Sequence, residues 1–291
     1  MKDISIIIVT YNSQDLILDC VKSIYQYLDI PESNLEVIIV DNSNFDNNKK
    51  LRDTLEPYSD KVIIYDNPKN GGYGQGNNIG INNAKGKICC VMNPDVRFSM
   101  PLIKNSIDFF SRNNTLALLS YKQRSSSDIS FYIKPESRPS IGNAVWTKII
   151  NKLNLFSIKH NYLSGAFFFT DKAKFQEIGM FDEAIFLYHE EPDISNRIIK
   201  KNYNIIFDPS KEYIHLTENR GLNEKAFYEE LKSLDYYIKK YHLDRKNIFS
   251  KYFSDYKFNL FLFKILNRKE RILKTEQEIK IINNFKNKQN N

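Results

Sequence analysis

The sequence predicts an α/β protein in which a mostly parallel, Rossmann-like central sheet is flanked by helices and followed by a helical C-terminal extension. Three observations predict it. Residues 4–9 and 35–40 are Ile- and Val-rich runs, the composition of parallel strands buried on both faces. Between them Leu16, Ile17, Cys20, Val21, Ile24 and Leu28 recur at helical spacing, so a helix links two parallel strands. Beyond Arg245 the composition turns basic, with apolar residues interleaved among lysines.

Each element follows in order. Thr10-Tyr11-Asn12-Ser13 breaks the first run with residues that cap helices, and Asp41-Asn42-Ser43 ends the second. Residues 62–65 and 88–92 read as third and fourth strands, apolar along their length. A helix is expected over 101–110 and a short strand over 116–120. Residues 122–142 are Ser-rich, polar and punctuated by proline, which predicts a loop over the site or a disordered insertion. β character resumes over 162–170, a helix over 192–201, short strands over 205–207 and 213–216, and a long amphipathic helix over 223–241. Residues 1–244 form one domain in this reading, with a first half to 95 and a second half over 96–244; residues 245–291 are the extension.

Composition narrows the function classes. The 291 residues can bury a sizeable core without staples, and Cys20, Cys89 and Cys90 sit in apolar settings, as buried thiols of a reducing compartment do. The chain enters its first strand without a cleavable apolar leader, and the tract 258–263 falls far short of the roughly 20 residues that span a bilayer. A cytoplasmic protein is expected, soluble or peripheral at the inner face of a membrane. The net charge of +7 belongs to the tail: residues 245–291 hold twelve Lys or Arg against four Asp or Glu, net +8. A nucleic-acid binder wants a basic face on its folded body, so no nucleic-acid partner is expected. The tail reads either as a membrane-surface helix or as a helical cap on the body.

Ligands of parallel sheets collect at the carboxyl ends of the strands. Thr10-Tyr11-Asn12, Asp41-Asn42 and Asn93-Pro94-Asp95 stand there. The last tripeptide is a good turn sequence, and its Asp95 could equally ligate a hard cation. In Tyr188-His189-Glu190-Glu191-Pro192-Asp193, Asp193 could cap a helix, while Glu190 and Glu191, placed ahead of Pro192 and outside that helix, offer a general base. His215 is either a core histidine or, followed by Thr217 and Glu218 at a strand end, a metal ligand. Residues 70–80 hold five of the ten glycines, read as a loop that is flexible or approaches a ligand closely. Gly74-x-Gly76 is followed by Ile79 where the dinucleotide fingerprint wants Gly, which argues against an oxidoreductase.

Taken in order, these pieces resemble glycosyltransferase family 2, most closely its rhamnosyltransferase-like branch. The carriers are Ser5-Ile6-Ile7-Ile8-Val9-Thr10-Tyr11-Asn12-Ser13, Val37-Ile38-Ile39-Val40-Asp41-Asn42-Ser43, residues 67–80, Val91-Met92-Asn93-Pro94-Asp95, Ser164-Gly165-Ala166, Gly179-Met180-Phe181-Asp182-Glu183, residues 186–193 and His215. The resemblance implies a GT-A fold with a nucleotide-sugar-binding half over 1–95 and an acceptor-binding, catalytic half over 96–244. It implies that Thr10, Tyr11, Asn12 and Asp41 hold the nucleoside, Asp41 reading a pyrimidine, and that Gly72 and Asn78 line the donor pocket. Asn93, Ser164, Gly165 and Glu190 join the substrate-binding set. Asp95 and His215 would hold Mn2+ or Mg2+, and Glu191 would be the catalytic base of an inverting, metal-dependent hexosyltransferase. Asn93 replaces the first Asp of the common Asp-x-Asp, a replacement usual in that branch, and Glu191 stands where Asp is more frequent. The implied partners are a nucleotide-diphosphate sugar, first thymidine-diphosphate-rhamnose, and a glycan or lipid-linked acceptor of cell-surface polysaccharide synthesis. An anionic membrane surface through residues 245–291 is a further expected partner, and homo-oligomerisation stays open. A non-catalytic sugar-nucleotide-binding or scaffold protein of the same fold is the alternative.

Overall fold

The computed structural model describes residues 2–216 and 223–288. Along the chain lie β1 (Ile4–Thr10), α1 (Gln14–Gln26), β2 (Leu35–Asp41), α2 (Phe45–Thr54), β3 (Val62–Asp66), α3 (Gly72–Asn83), β4 (Ile88–Met92) and β5 (Val96–Phe98). Then follow α4 (Ile103–Arg112), β6 (Leu116–Arg124), β7 (Phe131–Ile133), α5 (Asn143–Lys152), β8 (Asn161–Leu163), β9 (Phe167–Asp171) and α6 (Lys172–Glu177). The rest comprises α7 (Glu190–Lys200), β10 (Asn204–His215), α8 (Glu224–Lys240), α9 (Arg245–Ile265) and α10 (Lys269–Lys288).

Eight strands form one sheet in the order β3-β2-β1-β4-β9-β6-β10-β5, and β7 pairs with β8 apart from it. The strands β3, β2, β1 and β4 run parallel, as do β6 and β10, whereas β9 and β5 are antiparallel to their neighbours. Alternation along β1 sends Ile4, Ile6 and Ile8 to a core packed under α1 and Ile7 to a core packed under α3, α6 and α7. The three cysteines are buried and free; burial pushes the Cys20 and Cys89 thiols up to about 12.

Several expectations are corrected. The glycine-rich segment is the helix α3 rather than a loop. A Cβ on Gly80 would stand 2.4 Å from Ile7 Cγ2, and one on Gly76 2.8 Å from Val9 Cγ1, so bare backbone brings α3 down onto β1 and packing overrides helix propensity. Residues 122–142 are ordered structure: β6 runs on to Arg124, β7 follows, and Asn151 Oδ1 accepts the amides of Ser130 and Phe131 at 2.7 and 3.2 Å. Glu190 and Glu191 belong to the first turn of α7, because the first-turn amides have no intrahelical partner and Pro192 loses nothing there. Residues 205–207 and 213–216 join in the single bulged strand β10, and β3 is a half-exposed edge strand.

The C-terminal helices cap the body. Phe227, Leu231 and Leu234 of α8 pack with Ile248, Phe249 and Tyr252 of α9 and Ile282 and Phe285 of α10. Asp255 of α9 is buried and pairs with Arg138 at 2.7 Å, and the Arg138 guanidinium lies 3.8 Å from the Tyr252 ring centroid. The same carboxylate accepts the amide of Asn143 at 2.9 Å, capping α5.

Gly80→Val drives a branched side chain into Ile7 and is expected to lower stability by about 3 kcal/mol in chemical denaturation. Asp255→Ala leaves the Arg138 charge buried without its partner, with an expected loss of about 3–5 kcal/mol by the same measurement.

Candidate active site

The strand ends open into two adjoining cavities. A cleft of about 810 Å³ is lined by Thr10, Tyr11, Asn42, Gly72, Asn93 and Asp95 among others, and a cavity of about 440 Å³ by Asn93, Ser164, Gly165, Glu190, Glu191 and His215 among others. They share Tyr73, Asn93, Leu187, Tyr188 and Glu230. The register explains the meeting: Thr10 pairs with Asp41 across β1 and β2, and β4 ends at Met92 beside Ile8, so three strand ends stop at one level.

Asp41 is buried beneath the cleft. Its Oδ1 accepts from Thr10 Oγ1 at 2.9 Å and from Ser43 Oγ at 2.6 Å, and its Oδ2 from Asn48 Nδ2 at 3.1 Å. Asn12 stands at the rim, where its amide donates to Ser43 Oγ and its Oδ1 accepts from Asn47. Gly72 opens α3 with φ +92; a Cβ there would fall 2.2 Å from the Phe186 carbonyl. Asn78 does not line the cleft. Its amide group is spent on Phe181 and Glu183, so it holds residues 181–183 against α3 instead.

Asn93-Pro94-Asp95 is both a turn and a site element. Val96 N donates to Asn93 O at 3.1 Å, and the antiparallel pairing of β5 with β10 sets His215 opposite Val96. His215 Nε2 therefore stands 3.3 Å from Asp95 Oδ1, an oxygen buried without a hydrogen bond. An orphaned carboxylate oxygen beside an imidazole nitrogen suits a divalent cation. Among the described residues no group of three His, Cys, Asp or Glu side chains could hold a metal ion. Thr217 and Glu218 lie outside the described residues.

Glu191 rests against the turn between β8 and β9. A Cβ on Gly165 would fall 2.1 Å from Glu191 Oε1, so only glycine lets the carboxylate sit on that backbone. Burial raises the Glu191 carboxyl above the ordinary range, while its own amide and that of Gly165 pull it back. The Glu190 carboxyl is held well above that range by burial and by the neighbouring Glu191 charge, and its Oε1 has no partner. The two carboxyls therefore differ: that of Glu190 is held further above the ordinary range than that of Glu191.

Other residues at the site carry no signal in the sequence spacing. Tyr73 donates its hydroxyl to Gly165 O at 2.6 Å and underlies both cavities. Tyr188 and His189 have φ of 67° and 68°, two successive left-handed residues at the entrance to α7, a strained conformation of the kind stored at functional sites. Both ring nitrogens of His189 are buried without a hydrogen bond, and burial, aided by the Arg138 charge, brings it down to about 3, so the ring is neutral. Tyr252, Tyr256, Lys274 and Glu278 show that the C-terminal helices supply part of the walls.

Residues 5–179 match the family described as glycosyl transferase family 2. An uncharacterised glycosyltransferase of Rickettsia prowazekii is 28% identical, covering 78% of this chain and 70% of that protein. A low-salt glycan biosynthesis hexosyltransferase of Haloferax volcanii is 25% identical over 70% of this chain and 64% of its own length. Among solved structures, a Pyrobaculum calidifontis mannosyltransferase in complex with GDP-Man and Mn2+ superposes with a TM-score of 0.62 at 16% identity, covering 96% of this chain and 72% of that one. GalNAc-T7 with UDP, GalNAc and Mn2+ gives 0.60 at 15% identity, over 81% and 48%. With a matched family spanning most of the body and a GT-A architecture beneath the two cavities, the chain belongs to glycosyl transferase family 2.

Proposed function

We propose that the protein transfers a hexose from a nucleoside-diphosphate donor to a hydroxyl of a glycan or lipid-linked acceptor in cell-surface polysaccharide synthesis, with inversion at the anomeric carbon. The observation that carries this reading is the placement of Glu191. It is a half-buried carboxylate, held by the Gly165 amide, in a cavity that adjoins the cleft at the strand ends. The donor occupies the larger cleft, its nucleoside against Thr10 and Tyr11 over the Asp41 network and its diphosphate toward Asp95. The acceptor occupies the smaller cavity. Thymidine-diphosphate-rhamnose is the first donor to try, on the strength of Asn93-Pro94-Asp95, and uridine-diphosphate sugars are next. The hexosyltransferase relative and a 22%-identical minor teichoic acid biosynthesis protein of Bacillus subtilis support a role in glycan assembly.

The chemistry follows from charge. The acceptor oxygen attacks the anomeric carbon from the face opposite the phosphate, its proton passes to Glu191, and the sugar–phosphate bond breaks with its electron pair leaving on the diphosphate. Asp95 and His215 would hold Mn2+ or Mg2+, which when bound offsets the negative charge of the diphosphate. Glu190, neutral beside Glu191, presents a hydroxyl for hydrogen bonding to the acceptor. Neutral His189 presents a ring nitrogen to the same cavity.

Screening nucleotide sugars by thermal shift tests this reading. A pyrimidine nucleotide is expected to raise the melting temperature further with manganese present, and Asp95→Ala or His215→Ala to abolish the manganese-dependent part. Glu191→Gln is expected to retain the nucleotide shift while transfer falls roughly 10³-fold or more; full transfer by this variant would remove Glu191 from the mechanism.

The base form of Glu191 is lost as pH falls through a carboxyl raised above its ordinary range. The acid limb of kcat/KM is therefore expected above pH 4.5, the ordinary value for Glu. Glu190→Gln is expected to leave that limb in place, because a neutral amide replaces a carboxyl that is already neutral there.

A further inference from the structure

Helix α5 is built inside out. Its buried positions are polar, Thr147 and Asn151, while Val145, Trp146 and Ile149 are 48%, 54% and 41% exposed. Asn151 anchors the helix through hydrogen bonds to Ser130, Phe131 and Thr147, and of the large apolar residues of α5 only Ile150 packs against the body. Leu153 and Leu155, just after the helix, are exposed as well. A helix that turns most of its large apolar side chains outward marks an interaction surface.

The same surface continues onto the C-terminal hairpin. Asp255 ties the start of α5 to α9, and a Cβ on Gly142 would lie 3.8 Å from both the Trp146 and the Phe258 rings. Farther along, the junction of α9 and α10 leaves Phe261, Ile265, Leu266 and Leu273 at least 60% exposed. Charge follows the apolar residues. Residues 141–159 contain Lys148, Lys152 and Lys159 and no acidic residue, and residues 256–273 contain five Lys or Arg against Glu270. Of these, Lys264 is paired with Glu276.

We propose that α5 and the tip of the α9–α10 hairpin together form the surface by which the protein lies on an anionic lipid bilayer. The apolar side chains enter the boundary between headgroups and acyl chains, and the surrounding cations meet lipid phosphates. Two copies of so basic a face would repel each other, which disfavours a second copy of the chain as the occupant. Among the described residues no helix is long and apolar enough to cross a membrane, so this contact lies along the surface. Asn143, the first residue of α5, and Tyr252 of α9 line the smaller cavity, so that cavity adjoins the docked face. Resting on the transferase reading above, this adjacency selects a lipid-linked acceptor, carried to the cavity by the bilayer that holds its anchor.

Trp146 is the one tryptophan of the chain, so its fluorescence reports the contact directly. The full-length protein is mixed with vesicles of phosphatidylcholine alone or with added phosphatidylglycerol. With the anionic vesicles, Trp146 emission is expected to move to shorter wavelength and to be quenched by lipids brominated in the acyl chains. Trp146→Glu with Ile149→Glu is expected to weaken flotation with these vesicles at least tenfold. Arg268→Gln, Lys269→Gln and Arg271→Gln together are expected to weaken it roughly a hundredfold. Melting temperatures should stay unchanged, since these side chains are exposed. Unmoved emission, or equal flotation of the Trp146 and Ile149 variant, would overturn the proposal. So would light scattering that shows a dimer abolished by that variant without vesicle binding. A nucleotide thermal shift in the same samples separates the two readings: a normal shift without vesicle binding sinks the docking surface alone, and vesicle binding without any shift sinks the transferase reading alone.

Discussion

The short antiparallel pairing of β5 with β10 is the constraint on which the site depends. β4 delivers Asn93 and Asp95 at its carboxyl end, as any parallel strand of this sheet would, but a single carboxylate is a weak cation holder. Only because β5 turns back and pairs with β10 does His215, 120 residues later in the chain, reach within 3.3 Å of Asp95. The insertion of antiparallel β9 between β4 and β6 places the Ser164-Gly165-Ala166 turn at the same end of the sheet, and that turn seats Glu191. A wholly parallel sheet would lack both connections.

The two glutamates at the head of α7 illustrate how one local environment separates two like groups. Both stand at the positive end of a helix, Glu190 buried and Glu191 half-buried, yet only Glu191 reaches the Gly165 amide. Glu190, without the Gly165 donor and facing its neighbour's charge, is raised further. Carboxyls one residue apart thus acquire different proton affinities without any difference in side-chain chemistry.

Much of this was legible in the sequence, for identifiable reasons. β1, α1 and β2 follow from unbroken Ile and Val runs and a clean helical period, and the strand-end residues Thr10, Asn93 and Asp95 follow from where those runs stop. The glycine-rich helix α3 was illegible because its glycines answer to Ile7 and Val9 on another element, a contact with no local sequence correlate. Asn78 illustrates the same limit: its motif position suggested a donor contact, whereas its amide is occupied by Phe181 and Glu183. The polar segment at 122–142 carries the composition of a loop, and Asn151, farther along the chain, fixes the start of β7 by accepting the Ser130 and Phe131 amides. Tyr73 and the wall residues Tyr252 and Tyr256 could not be assigned because aromatic content alone does not say which cavity a ring will face.

The double engagement of Asp255 has a consequence for how the protein can be divided. One carboxylate neutralises Arg138 beside the smaller cavity and caps the helix that carries Trp146, so the last two helices are a structural part of the catalytic body. A shortened chain ending near residue 244 would lose cavity walls, orientation of α5 and charge balance at once. Grafting this hairpin from one relative to another would therefore exchange walls of both cavities along with the exposed apolar residues at its tip, making the chain's end a unit in which enclosure and outer surface are inherited together.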